Sequence, residues 1–136
     1  MSEQSLHKHL DLIATTISRM AQNSFLIRGW CVTVATGILA LAVQAKDSIL
    51  VLTGVLPIVA FWLLDAYYLM IERRFRTLYD KVRITSGADI DYSMDVAPTP
   101  GQFRFWSAAF SLSLLAIYGV MVGLICIIFL LMEGLI

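Results

Sequence analysis

Apolar residues fall at helical spacing from the start of the chain. Leu6, Leu10, Ile13, Ile17 and Met20 stand at i, i+4, i+7, i+11 and i+14, and Lys8, Asp11, Ser18 and Gln22 occupy the other face. Residues 5–24 are therefore expected to form an amphipathic helix that packs on other helices or lies on a membrane surface. After residue 24 the stripe gives way to runs that are apolar on every face, covering residues 25–45, 48–71 and 105–132. A bilayer crossing takes about 20 mostly apolar residues at about 1.5 Å each, and each run supplies them.

Only Lys46 and Asp47 separate the first two runs, and so short a turn forces an antiparallel hairpin. Beyond residue 71 the spacing stays helical, with Phe75, Leu78 and Val82 at i, i+3 and i+7, but the surface turns charged. The second span is expected to run on as a helix into the cytosol. Gly87 marks its end, and Pro98, Pro100 and Gly101 punctuate a loop over residues 85–102. The pattern predicts an all-α integral membrane protein with three transmembrane helices plus amphipathic cytosolic helical extensions. Its parts are a cytosolic amphipathic helix (1–24), a transmembrane hairpin (25–71), a cytosolic basic helix with an acidic, proline-containing loop (72–104) and a third transmembrane helix (105–136).

Composition agrees, with 59% hydrophobic and 15% charged residues, against about 25% charged in soluble domains. The net charge of zero hides a segregation. Lys8, Arg19 and Arg28 precede or open the first span. Arg73, Arg74, Arg76, Lys81, Arg83 and Arg104 lie between spans two and three, and only Lys46 lies opposite. The positive-inside rule then puts the N-terminus and residues 72–104 in the cytoplasm and the C-terminus outside. The first residues lack a short apolar core backed by a small-residue cleavage site, so the first span is expected to be its own insertion signal. Cys31 and Cys126 lie in apolar runs without ligand spacing and read as packed thiols. Asp89, Asp91 and Asp95 do not complete a calcium loop, so no metal or cofactor is expected. No Gly-rich phosphate loop, HExxH or GxSxG occurs, which argues against an enzyme. His7 and His9 are two apart, point to different helix faces and read as surface histidines.

Arg28 and Asp65 are the charges nearest hydrocarbon. Such a charge costs on the order of 2–3 kcal/mol on insertion scales and usually pairs or faces water. Asp65 lies about 10 Å along its helix from Glu72, and Arg28 about 13 Å from Arg19, so antiparallel packing sets them at similar depth. They read as an ion pair locking the hairpin, as an arginine that snorkels to the interface, or as a gate beside a water path.

Small residues mark candidate helix contacts. Gly119 and Gly123 share a stripe with Ala109, Leu112 and Ala116, and Gly37 shares one with Gly29, Thr33, Thr36 and Ala40. These faces permit close approach, within one chain or in a homo-oligomer of four or more copies. Ser107, Ser111 and Tyr118 form a more polar stripe that would line a pore or bond its own backbone. Pro57 is expected to kink the second span. Trp106, Tyr67 and Tyr68 fit an interfacial belt, whereas Trp30 and Trp62 read as packing. Residues 72–83 carry five basic and two acidic side chains, net about +3. That is ordinary positive-inside charge beside anionic lipid, or a phosphate site where Arg73, Arg74 and Arg76 of several subunits converge.

Residues 18–33 (SRMAQNSFLIRGWCVT), residues 57–83 (PIVAFWLLDAYYLMIERRFRTLYDKVR) and the short turn between their helices have a familiar wording. Together they resemble SLATT-like small membrane effectors of bacterial anti-phage defence, above all those of Hailong-type systems. The likeness covers roughly residues 15–85, and the third span is similar only in character. The resemblance implies an oligomeric ion channel that depolarises the cell. A single-stranded DNA oligomer or nucleotide made by a partner nucleotidyltransferase would keep it closed, and loss of that ligand would open it. By position, Arg73, Arg74, Arg76, Lys81 and Arg83 would face the ligand, an assignment by geometry rather than by motif. Two readings from other classes stand beside it: a non-conducting assembly or adaptor subunit, and a small ion-coupled transporter subunit using Asp65.

Overall fold

The computed structural model describes residues 3–85, 91–96 and 105–135. These form α1 (Glu3–Ala45), α2 (Ser48–Thr53), α3 (Val55–Ile84), α4 (Phe105–Ala109) and α5 (Leu112–Leu135), with no strand among the described residues. Three helical stretches are long and apolar enough to cross a membrane. The chain is an all-α membrane protein. Gly87, Asp89, Pro98, Pro100, Gly101 and Arg104 lie outside the described residues, and residues 91–96 have no regular structure.

The amphipathic segment and the first span are one rod of 43 residues. No proline interrupts α1, and Asn23, Ser24 and Gly29 are too scattered to stop it. Ile13 is fully buried, and Leu6, Leu10, Ile17 and Met20 are partly covered. Their stripe is thus the covered side of α1, whose most extensive packing is on α3.

The hairpin turn is built on Lys46, which takes the left-handed conformation at φ 54°. The Asp47 amide donates to the Ala42 carbonyl at 3.1 Å, and the Asp47 carboxylate caps α2 by accepting from the Ile49 and Leu50 amides at 2.9 and 3.2 Å.

The second span breaks once, at Gly54, between α2 and α3. Pro57 is the cause. It has no N–H for the carbonyl of Thr53 four residues back, and its ring crowds that carbonyl. Gly54 also faces α1 and α5 at close range. A Cβ there would lie 3.2 Å from the Val51 carbonyl oxygen, 3.3 Å from Ile125 Cδ1 and 3.7 Å from Ile38 Cγ2. Gly54→Ala is therefore expected to destabilise the fold by about 1 kcal/mol, through overpacking against a backbone oxygen. Gly119→Ala meets nothing within 4 Å and should be neutral or stabilising by up to about 1 kcal/mol. Unfolding titrations in detergent followed by circular dichroism would separate the two.

A single helix was expected over the third apolar run, and the structure corrects this. α4 ends at Ala109, α5 starts at Leu112, and no proline lies between. The reason is tertiary. Trp62 Nε1 donates to the Ala109 carbonyl at 2.9 Å, taking an oxygen the helix would otherwise use. Phe110 meets the Trp62 ring edge-on at 5.7 Å and stacks on Trp106 at 6.1 Å.

The core is thin. Cys31, Ala35 and Ala42 of α1, Ile58 and Ala66 of α3, and Leu114 and Ile125 of α5 are its buried centre. Only 17–28% of each span's most apolar window is buried within the chain. Three expectations on packing are overturned. Cys126 and Trp30 are exposed, because each lies on an outward face of its helix. His9 is buried against Tyr92, ring centroids 5.3 Å apart, because Tyr92 packs on the first turns of α1. His7 is exposed. At the far end of the bundle, Ser48 Oγ donates to Glu133 at 2.5 Å and ties α2 to α5.

Candidate functional site

Asp65 is wholly buried on α3, and three helices meet at its carboxylate. Oδ1 accepts from Ser24 Oγ of α1. Oδ2 accepts from Arg28 Nε at 2.7 Å and from the Tyr118 hydroxyl of α5 at 3.2 Å. The Tyr118 hydroxyl also lies 3.3 Å from the Phe61 carbonyl. Ser24 and Arg28 reach the same carboxylate because they are four apart, one turn along a single face. The structure thus brings Arg28 and Asp65 into contact. It adds Ser24 and Tyr118 to that pair. Ser24 carried a signal at i−4 from Arg28. Tyr118 carried none, since its side of α5 is set by packing.

The polar stripe on the third span does not hold together. Tyr118 turns inward to Asp65, Ser107 is exposed, and the Ser111 hydroxyl is buried with no partner among the described residues. The break at residues 110–111 changes the helical phase between them. Chemically, the Asp65 cluster fixes α1, α3 and α5 to one another at one depth. Both carboxylate oxygens carry donors, Oδ1 one and Oδ2 two, and the group is wholly buried.

The five basic residues sit on the outer half of α3. Arg73 Nη1 donates to the Ser107 carbonyl at 3.3 Å. Arg74 is half-buried, with Nη2 3.4 Å from Met70 Sδ and Nε buried without a partner among the described residues. Arg76 pairs with Glu72 at 2.7 Å, and Arg83 lies 3.7 Å from Asp80. Lys81 lines a hollow of about 140 Å³ with Thr85, Asp91, Ser93 and Asp95. At about 100° per residue, Arg73, Arg76 and Arg83 share one face while Arg74 and Lys81 share another. Within one chain the five do not converge on a point. Arg76 also lines an open groove of about 470 Å³ between α1 and α3, with Ala14, Ile17, Ser18, Tyr79 and Asp80.

The glycines of the small-residue faces make no close packing inside the chain. Gly37 and Gly119 are exposed and Gly123 is half-exposed, and a Cβ at any of them meets nothing within 4 Å. Of the two uses open to these glycines, packing within one chain is not the one seen, because the spans approach one another through other faces. Among the described residues no group of three or more His, Cys, Asp or Glu side chains is placed to hold a metal ion. No protein-family model, curated protein or solved structure matches this chain.

Proposed function

We propose that the chain is an ion-conducting membrane effector of bacterial anti-phage defence, acting as a homo-oligomer of four or more copies. It lies in the inner membrane with its N-terminus in the cytoplasm and its C-terminus outside. Its ligand is a nucleotide or single-stranded DNA oligomer made by a partner nucleotidyltransferase. The resemblance in residues 18–33 and 57–83 supports this reading. The observation that carries it is continuity: α3 runs without a break from Val55 to Ile84, so Asp65 and the basic face lie on one rigid helix. Arg73 is eight residues beyond Asp65, or about 12 Å along the axis.

Mechanically, ligand phosphates would bridge Arg73, Arg76 and Arg83 of neighbouring chains and hold the ends of α3 together. Arg74 and Lys81, on the other face, would contribute net charge rather than contacts. Arg28 and Asp65 would keep the hairpin rigid, so that it moves as a unit when the ligand leaves. The open faces at Gly37, Gly119 and Gly123 would supply the contacts between chains.

The test uses the protein reconstituted in vesicles loaded with a potassium-sensitive dye. Arg73→Glu with Arg76→Glu is expected to weaken oligonucleotide binding about tenfold or more and to raise flux, because phosphate contacts carry such binding. Unchanged binding and unchanged flux would sink the gating idea. A second reading has one observation in its favour. The open small-residue faces would equally seat a helix of another protein, which fits a non-conducting adaptor. That reading predicts no flux and a stable heteromeric complex. The transporter reading needs an Asp65 open to a proton or cation, and a wholly buried carboxylate paired with Arg28 gives it no support.

A further inference from the structure

Between residues 25 and 45 α1 contains one charged residue, Arg28. The charged turn Lys46–Asp47 must lie at or beyond the far edge of the hydrocarbon. Arg28 is 18 residues from Lys46, or about 27 Å along the helix, while the hydrocarbon is about 30 Å thick. The Arg28 backbone is therefore just inside the near boundary. Side chains on a helix incline toward its N-terminus, which here is the direction of the nearer headgroups.

The guanidinium is divided between two environments. Nε points inward to Asp65 Oδ2 at 2.7 Å, where the carboxylate is 0% exposed and the Arg28 side chain 26% exposed. Nη1 and Nη2 make no hydrogen bond among the described residues and are not among its buried polar atoms. Phe25 and Val32 lie one turn to either side on the same stripe and are 73% and 49% exposed. Among the described residues no helix covers Phe25 or Val32 on this face. A donor pair left open at the edge of hydrocarbon needs an acceptor. The planar fork of an arginine matches two oxygens of one phosphate. Asp65 already balances the charge of Arg28, so donor geometry rather than net charge selects the acceptor.

We propose that the outer edge of Arg28 is a phosphate site filled by a phospholipid headgroup, its terminal nitrogens donating to phosphate oxygens while Nε stays on Asp65. This holds whether or not the chain conducts ions. The test compares dioleoyl phosphatidic acid with dioleoylglycerol, which has matched tails and no phosphate, added to the purified chain in mild detergent. Native mass spectrometry counts the retained lipid. The wild-type chain should retain the phosphate lipid about tenfold better. Arg28→Met combined with Asp65→Asn removes both charges and keeps the shape. It should retain its helicity and bring the two lipids to parity. Arg28→Lys should lose most of the preference, since one ammonium cannot serve Asp65 and a phosphate on opposite sides. Arg73→Gln should leave the preference intact. Wild-type preference retained in both Arg28 variants, or absent from the wild-type chain, would overturn the proposal. Displacement of the lipid by millimolar inorganic phosphate would overturn the lipid assignment in favour of a free-phosphate site.

Discussion

Arg28→Met is expected to destabilise the protein more than Asp65→Leu, although each breaks the same ion pair. Removing the arginine strands a carboxylate that is 0% exposed and cannot reach water. An uncompensated buried charge costs about 3–5 kcal/mol. Removing the aspartate strands an arginine that is 26% exposed on the flank of the bundle and can extend to the interface. The other two donors also have alternatives. The Tyr118 hydroxyl has the Phe61 carbonyl at 3.3 Å, and Ser24 can bond the carbonyl one turn back on its own helix. Neutral hydrogen bonds between membrane helices are worth only about 0.6 kcal/mol on average. Asp65→Leu should therefore cost about 1–2 kcal/mol, and the paired Arg28→Met/Asp65→Leu should recover most of the loss from Arg28→Met. A double-mutant cycle by denaturant titration in micelles reads all three. Equal single-variant costs, or the reverse order, would show that the cluster is not a one-sided burial of Asp65.

Trp62 is the second strong test. It shapes the interruption between α4 and α5 by two separable means, a hydrogen bond to the Ala109 carbonyl and a ring against Phe110. Trp62→Phe keeps a ring and loses the donor, and should cost about 1 kcal/mol for the lost hydrogen bond. Trp62→Ala also loses the packing of a half-buried ring and should cost about 3 kcal/mol, the low end for removing a core tryptophan. In both variants the Ala109 carbonyl is freed for the Ser113 amide one turn on, so hydrogen exchange should slow at that amide. An unchanged exchange pattern in Trp62→Phe would mean that the break is held by something other than this bond.

The sequence made the spans, the hairpin and the depth of its two charges readable, because each depends on length and local pattern. Counting along antiparallel helices set Arg28 and Asp65 level, and they stand 2.7 Å apart. Rotation was not readable. A span that is apolar on every side carries no moment to say which face turns inward. So Cys126 reads from sequence as a packed thiol, Gly119 and Gly123 have no determined side, and Tyr118 falls in a stripe with Ser107 and Ser111. The break at Phe110 was hidden for another reason. Its cause, Trp62, is 48 residues earlier in the chain, and nothing local at Phe110 announces it. Pro57 was readable as a disturbance, but its effect falls at Gly54, one turn before it.

The two cysteines give the chain a built-in wetness sensor. Cys31 is sealed in the core, whereas Cys126 stands open on α5, eight residues past Tyr118, or about 12 Å deeper into the membrane. Thiol reagents attack the thiolate, which forms only where water reaches the sulfur. A charged, membrane-impermeant methanethiosulfonate will therefore label Cys126 quickly if its face of α5 borders an aqueous path, and slowly if that face meets lipid or a neighbouring helix. The side of α5 that sees water can be read from the unaltered protein, with Cys31 as the silent internal reference.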